Sequence, residues 1–155
     1  MVVVNNNGGT AVVGDFNLTA NGTGSNDLSG TSPVDSGATL QADTWALGET
    51  GPAGYTGTWV CVGGTQSADN ITVGIGGEAT CTITNDDQPA HLIVIKHVIT
   101  DNGGSAVAAD FKLSTGGGHA SPADGFDGAE SPGTNVSLDA GSYSVSETGP
   151  SGYTA

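Results

Sequence analysis

Positive charge is nearly absent from this chain. Its 155 residues include two fixed cations, Lys96 and Lys112, against 16 Asp and Glu residues, and the formal net charge is −14. Binding to nucleic acid needs Lys or Arg to neutralise phosphates, and an anionic membrane surface makes the same demand. We therefore expect neither partner, and the acidity suits a solvated, exposed protein.

Large apolar side chains and long apolar runs are also scarce. Aromatic residues make up 5% of the chain, glycine occurs 27 times, and the longest apolar run is LIVI at 92–95. That run is far too short to cross a bilayer, so membrane insertion is not expected. A thin core of this kind usually needs a staple such as a covalent crosslink, a metal or a partner.

Cysteine occurs twice, as Cys61 and Cys81, within the strand-like runs TWVCVGG and EATCTITN. An even, minimal count in such a chain predicts one structural disulfide formed in an oxidising compartment. Two buried free thiols are the alternative. No second Cys or His stands at ligand spacing, so we expect no zinc site and no cofactor.

The chain repeats itself. NGGTAVVGDFNL at 7–18 returns as NGGSAVAADFKL at 102–113, and ETGPAGYT at 49–56 returns as ETGPSGYT at 147–154. Before the second motif, ATLQADTWALGE in the first copy matches VSLDAGSYSVSE in the second. The repeat predicts two tandem modules, 1–88 and 89–155, and such arrays typically span distance or multiply contacts.

Strand signals dominate both copies. Short β-branched runs are bounded by Gly, Asn, Asp and Pro, and sustained helical periodicity is absent. This pattern predicts an all-β protein of tandem Ig-like β-sandwich modules. Strands are expected over 38–42 and 91–100, among others, with a short stiff linker at 85–90.

The two copies are cut at different points. Aligning Asn102 with Asn7 places Lys96 on Met1, so the first module is expected to begin part-way along its first strand. The second lacks a counterpart of 57–87, and we expect it to be truncated before its final strands. The chain is then either an excerpt of a longer array or one whose missing strands come from elsewhere.

Several polar residues fall at probable core positions. Lys96 lies in a largely apolar strand, Glu147 follows an inward-facing pattern at period two, and Asn85 does the same. Glu49 is the twin of Glu147 in the first copy. Buried polar groups require hydrogen-bonding partners, which singles these four residues out.

In these motifs the chain resembles the collagen-adhesin B-type repeat, a prealbumin-like β-sandwich of bacterial surface stalks and pili. The motifs are VIK ending at Lys96, ETGPSGY at 147–153 with its twin at 49–55, and TITN ending at Asn85. The resemblance implies a secreted protein at the cell surface or cell wall. It also implies an autocatalytic isopeptide bond, in which the Lys amine attacks the Asn carbonyl, Glu relays protons and ammonia leaves.

Neither copy holds a complete set for that reaction. The first has Glu49 and Asn85 but Met1 at the Lys position, and the second has Lys96 and Glu147 but no closing Asn. An intramolecular bond in the usual register is therefore not expected. It remains open whether the bond forms in a longer array or between chains, or whether Glu49 bonds a turn and the disulfide is the staple.

We expect a structural, non-catalytic repeat of a secreted stalk or fibre, whose partners are copies of itself or neighbouring repeats. One alternative is a self-assembling filament joined head-to-tail by β-strand addition. Another is an adhesin whose loops 21–37 and 115–134 bind a host or matrix ligand, although clustered aromatics and charges are lacking there. His91, His97 and His119 are scattered, and Asp86, Asp87, Asp101 and Asn102 read as solvated residues rather than a calcium site.

Overall fold

The computed structural model describes residues 1–24 and 26–155. The chain divides into two compact units, Met1–Gln88 and Pro89–Ala155.

The described part of the first unit forms two facing sheets. Its strands are β1 (Val2–Val4), β2 (Asn17–Asn21), β3 (Leu28–Gly30), β4 (Asp43–Thr50), β5 (Tyr55–Val62), β6 (Thr65–Ser67), β7 (Asn70–Val73) and β8 (Thr80–Asp87). One sheet has the order β1-β8-β5, with β1 parallel to β8, and the other has the order β3-β2-β4-β7-β6. Trp45, Ile71 and Val73 form the buried cluster between the sheets, with Cys61 and Cys81 packed against it.

The second unit is smaller and is built from antiparallel pairs. Its strands are β9 (Ala90–Val94), β10 (Lys112–Gly116), β11 (Ala120–Ser121), β12 (Phe126–Asp127), β13 (Thr134–Leu138) and β14 (Ser144–Thr148). They form sheets of order β12-β10-β14 and β11-β13-β9 around Val94, Leu113, Val136 and Leu138. The prediction of an all-β sandwich is confirmed.

Three local predictions are wrong. The expected strand over 38–42 is replaced by a 3-10 turn at Gly37–Thr39 and an irregular segment. The expected strand over 91–100 ends at Val94. The linker expected at 85–90 is mostly strand, because β8 continues through Asp87 and β9 begins at Ala90.

The repeated motifs meet at one place in each unit. A Cβ at Gly51 of the first ETGP motif would collide with the ring of Phe16, and a Cβ at Gly149 would collide with Phe111. Each ring is only 2% exposed. Glycine is required there because any side chain would push the ring out of the core. The DF and ETGP motifs therefore recur together as one packing unit.

The tyrosine at the end of each ETGP motif holds the loop after the NGG sequence of the same unit against the core. Tyr55 and Tyr153 meet the motif phenylalanines edge-to-face, with ring centroids 5.6 and 5.5 Å apart. The Tyr55 hydroxyl accepts the N–H of Ala11 at 3.0 Å, and the Tyr153 hydroxyl accepts that of Ala106 at the same distance. An aromatic ring that is both packed and hydrogen-bonded fixes the loop to the core.

Asp87 closes this loop in the first unit. Its side chain accepts the backbone N–H groups of Asn6, Asn7 and Gly9 at 2.8, 2.9 and 2.6 Å. The residue is 3% exposed, so the expectation of a solvated aspartate is wrong. Burial on its own raises the pKa of Asp87, but these N–H groups and the Asn7 side chain outweigh it and leave the pKa below its usual value.

This geometry predicts an acid-sensitive first unit. Because the folded-state pKa lies below the unfolded one, Asp87 stabilises the fold above the unfolded pKa, and that stabilisation is lost as the pH falls through the folded pKa. We expect Asp87→Asn to lower the thermal midpoint at neutral pH and to flatten its fall in acid. Tryptophan fluorescence measures this, since both tryptophans lie in this unit.

The matched control is Asp69→Asn, which changes the charge equally at an exposed position of the same unit. It should leave the profile unchanged. If Asp87→Asn follows the same acid profile as the unsubstituted chain, Asp87 is not the group that sets the acid sensitivity.

Candidate functional site: a glutamate in each core

Glu49 and Asn85 join the two sheets of the first unit. Glu49 lies on β4 and Asn85 on β8, so the two side chains meet across the sandwich. The Asn85 Nδ2 donates to Glu49 Oε2 at 2.7 Å, and Asn85 is fully buried. The side-chain amide is thus held by a carboxylate in a place from which water is excluded.

The amide oxygen of Asn85 has no hydrogen-bond donor among the residues that the structure describes. It lies close to the backbone of Gly57, which is its partner in the β5–β8 pairing. A Cβ at Gly57 would come within 2.6 Å of Asn85 Oδ1 and 2.8 Å of Glu49 Oε1. Sequence reasoning missed Gly57, although a glycine inside a strand often indicates such a close approach.

Lys96 and Glu147 make the corresponding contact in the second unit. The Lys96 Nζ lies 2.9 and 3.1 Å from the two oxygens of Glu147, and the side chains are 14% and 23% exposed. Nζ also lies 4.2 Å from the centroid of the Phe111 ring, where a cation–π interaction adds to the ion pair. Phe111 was not predicted, although the repeated DF motif marks its position.

The two glutamates lie at equivalent positions of the repeat but have different partners. Glu49 holds an amide and Glu147 an amine. A glutamate between an amine and an amide is what amine attack on an amide carbonyl requires, because the carboxyl relays the proton. Within the described residues, neither unit brings the three groups together.

Cys61 and Cys81 form a disulfide inside the first unit. They lie opposite each other in the β5–β8 pairing, with Cα atoms 4.0 Å apart. The bond closes a loop of 20 residues that contains β6 and β7. Closing a loop of this length stabilises the folded state by about 3 kcal/mol, because the crosslink restricts the unfolded chain.

Other candidate residues lie apart from these sites. His97 pairs with Glu130 at 2.9 Å and His119 with Asp139 at 2.8 Å, both with largely exposed imidazoles. Among residues 1–24 and 26–155 no cluster of His, Cys, Asp or Glu is arranged to hold a metal ion. The same residues contain no helix with the length and apolarity needed to span a membrane.

Comparison with known proteins agrees with the repeat. The family model for the prealbumin-like fold domain matches residues 1–83 and again residues 87–155. The chain therefore belongs to the prealbumin-like domain family, as its resemblance to collagen-adhesin B-type repeats predicts. Domains of this class are structural modules of pilus and surface proteins. No curated protein and no solved structure matches the chain.

The Glu49–Asn85 bond gives a stability prediction. Glu49→Ala removes the acceptor of a fully buried amide, which should lower the free energy of unfolding of the first unit by about 1–3 kcal/mol. Urea unfolding followed by tryptophan fluorescence measures it. Glu78→Ala, at an exposed position of the same unit, is the control and should change little. Equal effects of the two substitutions would contradict a structural role for the bond.

Proposed function

We propose that this chain is a structural repeat of a secreted bacterial surface stalk or extracellular fibre, and that it is not an enzyme. The observation that carries the proposal is the succession of two prealbumin-like modules with the same glutamate at the same place in each core. The same paired glutamate in each module suits an array whose modules all bear the same tension. A site for turnover would need one constellation open to substrate.

The surface chemistry supports an extracellular setting. A disulfide persists in oxidising compartments, and the Cys61–Cys81 pair is formed. The net charge of −14 favours solubility outside the cell. Other repeats or other copies of the chain are the partners we propose.

The glutamates also support crosslinking chemistry when an amine and an amide meet at one of them. The Lys Nζ would bond to the Asn Cγ while the Cγ–Nδ2 bond breaks. One amine proton passes through the glutamate to the departing group, which leaves as ammonia. In this chain Lys96 and Asn85 belong to different units, so the reaction we propose joins Lys96 of one molecule to Asn85 of another.

Intact mass under denaturing, non-reducing conditions tests this chemistry. A crosslinking subunit gives covalent multimers that are one ammonia lighter at each junction, and Lys96→Gln abolishes them. A stalk repeat stapled by its disulfide gives a monomer two hydrogens lighter than the sequence mass, with no ammonia lost. The second result would rule out crosslinking between copies while leaving the structural role intact.

A mechanical role predicts a particular unfolding length. While the Cys61–Cys81 bond is closed, the 20-residue loop cannot extend under force. Reduction should therefore lengthen the unfolding step of the first unit by roughly 70 Å, at about 3.5 Å per residue. Single-molecule pulling with and without reductant measures it, and the step of the second unit is the internal control. An unchanged step would mean that the disulfide does not shield this loop from force.

A self-assembling filament is the second candidate, favoured by exposed apolar side chains of the second unit. Val145, Ile95 and Ile99 are 48%, 53% and 68% exposed. Exposed apolar side chains of this kind favour contact with a neighbouring molecule. Sedimentation of the purified chain distinguishes the two candidates. A filament subunit assembles and pellets without any added partner, whereas a stalk repeat stays monomeric.

A further inference from the structure

The segment that carries Lys96 is held by a neighbouring segment of the second unit at several points. The carbonyl oxygen of Ala129 accepts the backbone N–H of Lys96 at 2.8 Å. Glu130 Oε1 accepts the N–H of Val98 at 3.1 Å, and Glu130 Oε2 lies 2.9 Å from His97 Nδ1. A carboxylate can only accept, so His97 Nδ1 carries the proton in this bond. The carboxylate of Glu130 thus bridges two consecutive residues of the segment that follows β9.

The residue before Ala129 is a glycine, and it makes room for the lysine side chain. A Cβ at Gly128 would lie 2.9 Å from the Cβ of Lys96 and 2.5 Å from the carbonyl oxygen of Ala108. The Gly128 N–H donates to the carbonyl oxygen of Phe111 at 2.8 Å, and the Phe111 ring lies beneath the lysine Nζ. Only glycine lets the side chain approach this backbone so closely. The base of the lysine side chain is therefore placed by the same segment that contains Glu130.

Glu130 is held as a carboxylate beside this segment. The hydrogen bond with His97, followed by that from the Val98 N–H, lowers the pKa of Glu130 below its usual value. Desolvation opposes this effect, while the charges of His97 and Lys96 add to it. The side chains of Glu130 and His97 are 51% and 71% exposed, and exposed ion pairs contribute little to stability. The contact is thus better suited to placing a segment than to stabilising the whole unit.

We propose that Glu130 is a positioning residue for the Lys96 amine. It bridges His97 and Val98 and so fixes the segment that contains the lysine. The amine then stays within reach of Glu147. This inference rests on the crosslinking role proposed above, in which the amine attacks an amide carbonyl. Such an attack needs a fixed orientation, since a displacement of about 1 Å can cost about a hundredfold in rate. Glu130 contacts none of the reacting atoms and acts through the backbone of its neighbours.

The rate at which the Lys96 amine is acetylated in the full chain tests the proposal. The sequence contains two lysines, so limited treatment with N-hydroxysuccinimidyl acetate and peptide mass spectrometry report on each separately. Lys112, whose side chain is 54% exposed, is the internal reference. Glu130→Ala should raise the rate at Lys96 relative to Lys112 by roughly tenfold, because the loss of both bonds releases the segment and exposes the amine.

Two further variants separate positioning from a general loss of structure. Glu130→Gln keeps a carbonyl oxygen for the Val98 N–H and an amide that can donate to His97. It should therefore keep the acetylation rate of Lys96 close to that of the unsubstituted chain. Asp139→Ala removes a second carboxylate that pairs with an exposed histidine of the same unit. It should leave the rate at Lys96 unchanged.

An unchanged rate at Lys96 in Glu130→Ala would overturn the proposal. A rise that Lys112 shares, or that Asp139→Ala or Glu130→Gln reproduces, would overturn it as well. Intact mass tests the crosslinking role separately. If covalent multimers form, Glu130→Ala should slow them by a similar factor, and an equal rate would count against positioning. If none form, the crosslinking role fails, and the acetylation ratio still decides whether Glu130 places the amine.

Discussion

A carboxylate placed against a thin core is the constraint from which the rest of each unit follows. Glu49 and Glu147 lie where an apolar side chain would be expected, and even a half-buried carboxylate is costly unless it is paired. The first unit pairs it with the Asn85 amide and the second with the Lys96 amine. Asn85 lies on β8 and Lys96 lies two residues beyond the end of β9, so each polar contact fixes the position of the segment that carries its partner.

The strand order places the two ends of the first unit on neighbouring strands. β1 begins the first unit, β8 ends it, and the two run parallel with Val3 beside Asn85. Tension on the two ends of this unit pulls β1 and β8 in opposite directions and loads their hydrogen bonds in shear, so that the bonds must break together.

Much of the fold and of the glutamate sites could be predicted from the sequence because the same motifs occur in both copies of the repeat. The repeat predicted that Glu49 and Glu147 are equivalent, and the two-residue alternation predicted that Asn85 points inward. The scarcity of helix signals predicted the all-β fold. Asp87 could not be predicted in this way, since an acidic residue near a proline resembles a linker until three backbone N–H groups converge on it. Gly57 and Phe111 were missed because their roles depend on contacts between distant strands.

The segment 36–40 shows why local sequence was not sufficient. ATLQAD and VSLDAG have the same alternation, yet the first contains a 3-10 turn and the second lies in a strand. The difference is the neighbour, because β9 supplies hydrogen bonds and apolar cover to one segment and nothing within the described residues does so for the other. Strand propensity in such thin sandwiches is a property of pairs of segments.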